Sequence, residues 1–516
     1  MTFDKKRLAL FVLLVFALFS AGYRDAFRVM SKPVFAEFQH DSESLVIGKI
    51  IADDYGTGLE HANLTATWLD NQALGLRQSY ALVDAKILPD LKVQLLKDYD
   101  NEHWNSGISK DFAGVMVSDN DSLGSYIGRE IVLDNQRRIV TDVSRQDGAG
   151  TILHVSGPPI KRIVETSGDI KISGEKASAS DIRMKPYSPQ FGIQGLAFSK
   201  LKQVAGLRLP DLYKINALLF AVVAVTLAFL YSGIFSKTFA AIFFVTLVAS
   251  PMITGFARNL YWIPFSWFLP AVFSSLYLLG STRLKKYVFL GLLYFAFLLK
   301  FLAGYEYTSS VILFAAAPFL YSAIVQYRKR GWIVPLRQFV IICAIGAAAF
   351  ATALLIHAEM RSGSLASGLL SIWEEDAKRR TYGDPAAFHP AYAESLRAPF
   401  WAVVKMYIFK WHAAFLALLP GVLFPVLFFL SLATIVCRRL FINKRLDDLA
   451  LFTAFLLPPL SWYVLGKAHS FIHTHINFVL WYLGFAAALL QVSFNGLKIA
   501  VFSIHAWVKK VKADEL

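Results

Sequence analysis

Apolar residues in this chain are gathered into long runs that short polar stretches separate. A helix needs about 20 predominantly apolar residues to cross the hydrocarbon core of a bilayer. Ten runs approach this length, and we predict that each forms a transmembrane helix: 8–22, 212–234, 238–256, 262–280, 286–303, 309–326, 338–357, 412–437, 449–466 and 474–494. The pattern therefore predicts a polytopic α-helical membrane protein with about ten transmembrane helices.

The first apolar run follows Lys5, Lys6 and Arg7 and ends among small residues near Gly22. A short run with a basic start and a small-residue end is also typical of a cleaved signal peptide. We predict an uncleaved first transmembrane helix over residues 1–22, and the signal peptide stays open as the alternative. Under either interpretation, the residues that follow are exported across the membrane.

Basic residues are divided unevenly between the polar segments. In membrane proteins the cytoplasmic loops carry the excess of lysine and arginine. One set of alternating segments carries nineteen such residues, whereas the short segments between them carry Arg258 and Lys467. The nineteen are Lys5, Lys6, Arg7, Lys237, Arg283, Lys285, Lys286, Arg328, Lys329, Arg330, Arg337, Arg438, Arg439, Lys444, Arg445, Lys498, Lys509, Lys510 and Lys512. The bias predicts cytoplasmic termini and an outer location for residues 23–211 and 358–411.

The composition fits a chain that lies mainly in a bilayer, since 56% of its residues are hydrophobic and 17% are charged. A net charge of +15 would suit a nucleic-acid partner, but the basic residues lie beside the apolar runs. We therefore predict membrane lipids, and no nucleic acid, as partners. The sequence also lacks zinc-type cysteine spacing, a nucleotide-binding glycine loop and a serine nucleophile elbow.

Cys343 and Cys437 are the two cysteines, and both lie within or at the end of apolar runs. No disulfide framework can therefore hold the long outer segment, which must fold by burial alone. Together with the short loops, this predicts a bacterial inner membrane, with residues 23–211 in the periplasm.

Residues 23–211 are far longer than a connection between two helices requires, which indicates a folded domain or a functional lid. We predict an outer juxtamembrane segment of surface helices at 23–104, a small β-rich insertion at 105–185 and a return segment at 186–211. The β-rich prediction depends on short β-branched runs from about 125 to 174, which alternate with glycine, proline and asparagine turns. Residues 212–516 form the predicted bundle, with the outer loop 358–411.

Asp41 and Glu43 lie soon after the first apolar run, at the start of a helical pattern. A carboxylate just outside the bilayer can act as a general base, because partial desolvation raises its pKa. The alternative is that Asp41 or Ser42 caps the helix by accepting hydrogen bonds from its first amides. The two roles are compatible, and Asp41 is the candidate base.

An N-terminal span, an acidic motif early in a large first outer loop, surface helices and a following bundle together resemble the GT-C class of integral-membrane glycosyltransferases. The resemblance implies a polyprenyl-phosphate-linked sugar donor and a catalytic base at Asp41, with Glu43 as the alternate. The sequence departs from the common pattern of two adjacent acidic residues, because Ser42 separates them here. The β-rich insertion is a second departure.

Other candidate residues share the predicted outer face with Asp41. Arg258 could hold a phosphate through its planar guanidinium, and Tyr261 could stack on a sugar or belong to an interfacial aromatic belt together with Trp262. Glu306 lies in a very short turn between two apolar runs, where a binding or catalytic role competes with a structural one.

His469, His473 and His475 give three histidines in seven residues at the outer edge of the bundle. Two of them are four residues apart and could share a helix face, which suits a metal ion, a substrate phosphate or packing. No third-ligand pattern accompanies them, so we predict phosphate binding. The sequence leaves the cofactor unknown, with a divalent cation as one option, and it leaves the oligomeric state open.

Polar groups that gather on one face favour chemistry at the outer interface. We predict a membrane glycosyltransferase that moves a sugar from a polyprenyl-phosphate carrier to an envelope glycan, lipid or protein acceptor. One alternative is a flippase or transporter of lipid-linked sugars, although such proteins place ionisable residues near the bilayer midplane. The other alternative is a non-catalytic scaffold for polysaccharide assembly.

Overall fold

The structure is a computed structural model of the chain. It describes residues 4–36, 38–55, 62–69, 114–117, 130–133, 136–146, 150–155, 171–172, 175–176, 182–329, 331–411, 414–442 and 446–514. The chain divides into two compact units. The bundle unit comprises Met1–Met30, Asn216–Arg258 and Ile263–Leu516, and the small unit comprises Ser31–Ile215 and Asn259–Trp262.

Long apolar helices are the main elements of the described chain. Among the described residues, seven helices are long and apolar enough to cross a membrane: Lys5–Arg24, Leu209–Ile234, Arg283–Ala303, Thr308–Gln326, Ile333–Ser362, Leu423–Leu440 and Asp447–Leu465. Helices of 18 or more residues rise about 27 Å or more, close to the thickness of the hydrocarbon core. By the length and composition of these helices, the chain is a polytopic α-helical membrane protein.

Two further apolar segments are broken helices. Lys237–Ala249 and Pro251–Ala257 meet at an angle of 70°, and Thr474–Tyr482 and Phe485–Val501 meet at 57°. If each bent pair counts as one span, the described residues contain up to nine spans. At the first break, Ser250 accepts a hydrogen bond from the amide of Ile253 at 3.1 Å and so begins a new helix.

Two predicted spans differ in the structure, and the first of them explains why the described residues contain at most nine spans and not ten. Residues 262–280 form the helix Phe265–Leu279, whose 15 residues rise only about 22 Å. In the predicted span 412–437, the helix begins at Leu423. Pro420 disfavours helical backbone at the residue before it, and Leu416 and Leu419 pair in a tight turn there.

Shorter elements connect the spans of the bundle unit. The connections contain the helices Leu365–Ser371, Lys378–Arg380, Ala393–Arg397, Phe400–Phe409 and Lys467–Ile472, the π-helices Ile372–Ala377 and Arg438–Ile442, and the 3-10 helices Tyr327–Lys329, Pro385–Ala387, Pro390–Tyr392 and Phe478–Tyr482. The last apolar helix continues to Asp514. The predicted outer loop 358–411 is therefore largely helical.

Aromatic rings pack the bundle unit around Phe455. Its ring centroid lies 6.0 Å from that of Tyr231, 5.4 Å from that of Phe235 and 5.3 Å from that of Phe239. Such pairs add about 0.5–1.5 kcal/mol each beyond the burial of their area. They join the helices Leu209–Ile234 and Lys237–Ala249 to Asp447–Leu465.

Gly484 lies at the second break and is required by the packing there. Its φ is +93°, and a Cβ atom added to it would lie 2.2 Å from Cδ1 of Phe455. We expect Gly484→Ala to lower the free energy of unfolding by about 2 kcal/mol or more, because a side chain is strained at positive φ and overpacks the ring. Thermal unfolding of the purified protein measures this loss.

Gly291→Ala is the matched control for Gly484→Ala. Gly291 lies within the helix Arg283–Ala303, and an added Cβ meets nothing within 4 Å. Alanine is favoured over glycine inside a helix by about 0.5–1 kcal/mol, so this variant should be at least as stable as the parent. Equal stability of the two variants would contradict the role given to Gly484.

Among its described residues, the small unit contains three helices and several antiparallel strands. Its helices are Lys32–Ala36, His40–Tyr55 and Ile193–Ala205, and its strands are Thr65–Leu69, Gly114–Val117, Glu130–Leu133, Gln136–Gln146, Gly150–Val155, Lys171–Ile172, Glu175–Lys176 and Ile182–Pro186. The first strand pairs with the last, with Thr65 opposite Pro186. The two-residue strands Lys171–Ile172 and Glu175–Lys176 pair with each other.

Four of these strands pair side by side, in the order Gly114–Val117, Gly150–Val155, Gln136–Gln146 and Glu130–Leu133. The register changes between Val140 and Asp142. Most of residues 105–185 lies outside the described residues, as do residues 70–104 of the predicted segment of surface helices. The small β-rich domain therefore stays a prediction.

Candidate functional site

Asp41 is the second residue of the helix His40–Tyr55. The helix starts after Gln39, whose φ is +53°. Asp41 and Ser42 therefore lie in the first turn and do not precede the helix as a capping residue would. The side chain of Asp41 lies outside the described residues. Its role as a base stays a prediction from the sequence.

Glu43 is buried in the small unit, with 3% of its surface exposed. Its Oε1 accepts a hydrogen bond from the amide of Leu260 at 2.8 Å, and its Oε2 accepts one from the hydroxyl of Tyr213 at 3.3 Å. Buried polar groups need such partners. Glu43 thus holds the segment Asn259–Trp262 within this unit, whatever its part in chemistry.

Tyr261 is also held inside the small unit. It is 7% exposed, its hydroxyl donates to Oε1 of Gln190 at 2.7 Å, and its carbonyl accepts from Gln194 at 3.1 Å. Its ring lies edge-on to that of Trp262 at 5.4 Å. These contacts give Tyr261 a packing role, while sugar stacking stays a prediction.

A buried ion pair within the helix His40–Tyr55 also accepts a hydrogen bond from the helix Ile193–Ala205. Nζ of Lys49 lies 2.6 Å from Oδ1 of Asp53, with the two side chains 0% and 3% exposed. The hydroxyl of Ser199 donates to Oδ2 of the same carboxylate at 2.5 Å. Asp53 therefore connects His40–Tyr55, the helix that carries Asp41, to Ile193–Ala205.

In the bundle unit, Glu306 lies in the turn between Arg283–Ala303 and Thr308–Gln326. Nη1 of Arg380 donates to its Oε1 at 3.1 Å, with the two side chains 17% and 8% exposed. The neighbouring Tyr307 donates to Oδ1 of Asn477 at 2.9 Å. Three segments that are far apart in the sequence thus meet at one end of the bundle.

Arg380 is positioned by a second, buried ion pair. Arg361, near the end of the span Ile333–Ser362, donates to Asp376 at 2.5 Å and to Glu375 at 2.6 Å. Arg379 lies 3.4 Å from Asp376, and it also donates to the hydroxyl of Tyr392 at 3.0 Å. Guanidinium groups suit such multiple contacts because their donors are fixed in a planar fork.

The three histidines lie at the same end of the bundle unit. The ring centroids of His469 and His473 are 4.4 Å apart, and those of His473 and His475 are 5.6 Å apart. Nδ1 of His469 lies 3.4 Å from Nδ2 of Asn477, the residue that Tyr307 also contacts. We call Glu306, Arg379, Arg380, His469 and His473 the arginine–histidine cluster.

The imidazoles of the cluster are neutral. Burial lowers the pKa of His469 well below its usual range, and competition with His473 and His475 for a proton and the charges of Arg380 and Arg379 lower it further. Burial also lowers the pKa of His473 to about 3, with His475, Arg380 and Arg379 contributing. A neutral imidazole can both donate and accept a hydrogen bond, which suits an oxyanion with attached hydroxyl groups.

These lowered pKa values predict a loss of stability in acid. The unfolded chain takes up protons at both histidines as the pH falls below about 6.5, whereas the folded chain does not. We expect the free energy of unfolding to fall between pH 7.5 and pH 5, by at most about 1.4 kcal/mol per pH unit for each histidine. Thermal unfolding midpoints across this range measure the change.

His473→Asn is the variant that isolates the histidine contribution, because asparagine does not titrate. The difference in unfolding midpoint between pH 7.5 and pH 5 should shrink in this variant. An unchanged pH dependence would show that other groups account for the acid sensitivity.

The structure distributes the predicted site residues over both units. Glu306 and the three histidines lie together at one end of the bundle unit. Arg258 lies in the bundle unit directly after the helix Pro251–Ala257, and Tyr261 lies in the small unit. Within the described residues, no three His, Cys, Asp or Glu side chains are placed to hold a metal ion together, so the metal alternative for the histidines gains no support.

The sequence pattern does not single out Arg380, Arg361 or Asp376. Charge runs such as 374–376 and 378–380 are most often solvated, and the side chains of Glu374 and Glu375 are indeed 48% and 66% exposed. Asp376 and Arg380 instead turn inwards. The useful signal was the mixed sign of the charges in an outer segment directly after a span, since opposite charges that are close in sequence can pair when buried.

Comparison with known proteins adds no guide, since no protein-family model, curated protein or solved structure matches this chain. Two guanidinium groups, neutral imidazoles and a buried carboxylate form an arrangement that can bind an anion and orient a hydroxyl group.

Proposed function

We propose that this protein is a membrane glycosyltransferase that moves a sugar from a polyprenyl-phosphate carrier to an envelope glycan, lipid or protein acceptor. The observation that carries the proposal is the arginine–histidine cluster at one end of an apolar bundle. A lipid phosphate has a charged head that suits guanidinium groups and an apolar tail that suits the surface of the spans.

The proposal assigns this end of the bundle to the outer face, with both termini in the cytoplasm and residues 23–211 in the periplasm of a bacterial inner membrane. The support is the excess of basic residues on the opposite segments. Arg258 and His475 complete the proposed phosphate-binding set, and a divalent cation beside the phosphate stays an option.

In the proposed reaction, Asp41 takes the proton of an acceptor hydroxyl, with Glu43 as the alternate base. The acceptor oxygen forms a bond to the anomeric carbon, and the bond from that carbon to the phosphate oxygen breaks with inversion. The electron pair leaves on the carrier phosphate. Arg379 and Arg380 stabilise the charge that develops there, which is the usual task of fixed cationic donors in group transfer.

A flippase for lipid-linked sugars is the second candidate, because the two broken helices favour it. Transporters form substrate sites at discontinuous helices near the bilayer midplane. The breaks at Ser250 and Gly484 lie in two such helices. Their polar groups are partly satisfied within the protein, since the carbonyl of Ala249 accepts from the amide of Ala417 at 2.7 Å.

Purified protein in liposomes tests both candidates. The liposomes contain a polyprenyl-phosphate sugar with a labelled sugar, and an envelope extract supplies acceptors. Transfer of the label to an acceptor, with release of the carrier phosphate, is the expected result, and Arg380→Gln should abolish it. Movement of the labelled lipid across the bilayer without any transfer would instead support the flippase.

A further inference from the structure

The ion pair between Arg380 and Glu306 is longer than the two ion pairs of Arg361 at this end of the bundle. Arg361 contacts two carboxylates at 2.5 and 2.6 Å, whereas Nη1 of Arg380 lies 3.1 Å from Oε1 of Glu306. Both partners of the longer pair are largely buried, with side chains 17% and 8% exposed. The distance from Arg380 to its carboxylate is therefore longer than the two distances from Arg361.

A phosphate can replace a carboxylate on a guanidinium group, since both present two oxygens to its planar fork. The neighbourhood of Arg380 suits such an exchange. Arg379 is the adjacent residue, and the charges of both arginines act on His469 and His473. The two imidazoles are neutral and can donate to further phosphate oxygens.

Glu306 would also keep a counter-charge after the exchange. A buried carboxylate that loses its counter-charge strongly destabilises the folded protein. The buried Lys300 is close enough for its charge to interact with Glu306, and its Nζ donates to the carbonyl of Gly304 at 2.7 Å. The displaced carboxylate can thus remain near a cation inside the protein.

Building on the proposed function, we propose that Glu306 is the resident counter-ion of Arg380 and that the phosphate of the lipid carrier displaces it. The exchange favours the carrier that has lost its sugar. A phosphate monoester carries a charge of about −1.5 to −2 at neutral pH, whereas the sugar-linked diester carries a single negative charge. Arg380 therefore binds the leaving phosphate more strongly than the donor.

Binding measurements on the full-length protein in lipid nanodiscs test the exchange. Glu306→Gln removes the competing carboxylate, and it should lower the dissociation constant of polyprenyl phosphate by about fivefold to tenfold, because the binding-competent fraction rises. Arg380→Gln should raise this constant by about tenfold or more, since a charge-assisted contact is lost. Unchanged or weaker binding by Glu306→Gln would overturn the proposal.

Glu374→Gln is the matched control. Glu374 is an exposed carboxylate that pairs with Lys378 at 2.6 Å. Lys378 lies two residues before Arg380 in the sequence. Its removal changes the net charge by the same amount as Glu306→Gln, and we expect no change in binding. An equal gain in both variants would show a general electrostatic effect and would also overturn the exchange.

Two further arms separate the sources of the phosphate and the two proposals. If inorganic phosphate competes with the lipid, the site recognises the phosphate group itself, and if only polyprenyl phosphate competes, the site recognises the carrier. If Glu306→Gln binds polyprenyl phosphate more tightly and the parent protein transfers no sugar, the result supports the exchange and contradicts the glycosyltransferase activity. Sugar transfer without tighter binding would do the reverse.

Discussion

Replacing Asp53 with alanine should lower the free energy of unfolding by about 3–5 kcal/mol, because the change leaves a buried lysine without its main counter-charge. Lys49 is fully buried, and its Nζ lies 2.6 Å from the carboxylate of Asp53. Ser199 donates to the same carboxylate at 2.5 Å, so the variant also removes an acceptor from this hydroxyl. Thermal and denaturant unfolding of the purified protein in detergent measure the loss.

Asp211→Ala is the matched control for the same unit. Asp211 also forms ion pairs, at 3.5 Å with Arg208 and 2.8 Å with Lys214, but its side chain is 27% exposed and those of its partners are 62% and 42% exposed. Exposed ion pairs contribute about 0–1 kcal/mol because water and salt screen them. We therefore expect a much smaller effect from this variant.

A double variant separates the charge from the volume of the buried pair. Replacing Lys49 with methionine and Asp53 with leucine removes both charges and keeps much of the volume. Buried ion pairs can often be exchanged in this way at little loss. The double variant should be more stable than Asp53→Ala alone, and a double variant as unstable as the single one would show that packing, and not the uncompensated charge, sets the loss.

The spans could be predicted because their signal is local. An apolar run of about 20 residues specifies a membrane helix with little help from the rest of the chain. The breaks could not be predicted in this way, because both runs are predominantly apolar on either side of Ser250 and Gly484. The bend at Gly484 depends on the close approach of Phe455, which is distant in the sequence.

The site could be predicted only in part, for a related reason. The topology placed Glu306 and His469 on one face, and the structure brings them to one end of the bundle. The sequence could not single out Arg380 from its charge run. Which of these charged side chains turns inwards depends on the π-helix Ile372–Ala377 and its pairing with Arg361, which set the rotation of the chain that follows. Such a rotation has no local pattern in the sequence.

The same limit applies to the two acidic residues of the first motif. Glu43 lies two residues after Asp41 in the same helix. Glu43 is turned into the small unit, where it accepts from Leu260 and Tyr213. Both oxygens of Glu43 are thus occupied by donors of the fold, which leaves Asp41 as the candidate base.

Asp41→Asn should therefore have the largest effect on activity. We expect the rate of sugar transfer to fall by about 10²–10⁴-fold, the usual contribution of a general base. Asparagine has a similar size but cannot accept the proton at neutral pH. Because the base acts in the chemical step, the affinity for the lipid-linked donor should stay close to that of the parent protein. Single-turnover transfer and donor binding in nanodiscs measure the two quantities separately.

Glu43→Gln is the informative companion, because its carboxylate is held by the amide of Leu260. A glutamine oxygen can still accept one of the two hydrogen bonds, so this variant should lose stability and should keep far more activity than Asp41→Asn. The opposite ranking, with full transfer by Asp41→Asn and a lost chemical step in a folded Glu43→Gln protein, would move the base to Glu43. Full transfer by both variants would show that neither Asp41 nor Glu43 is the base, and it would remove the acidic motif from the mechanism.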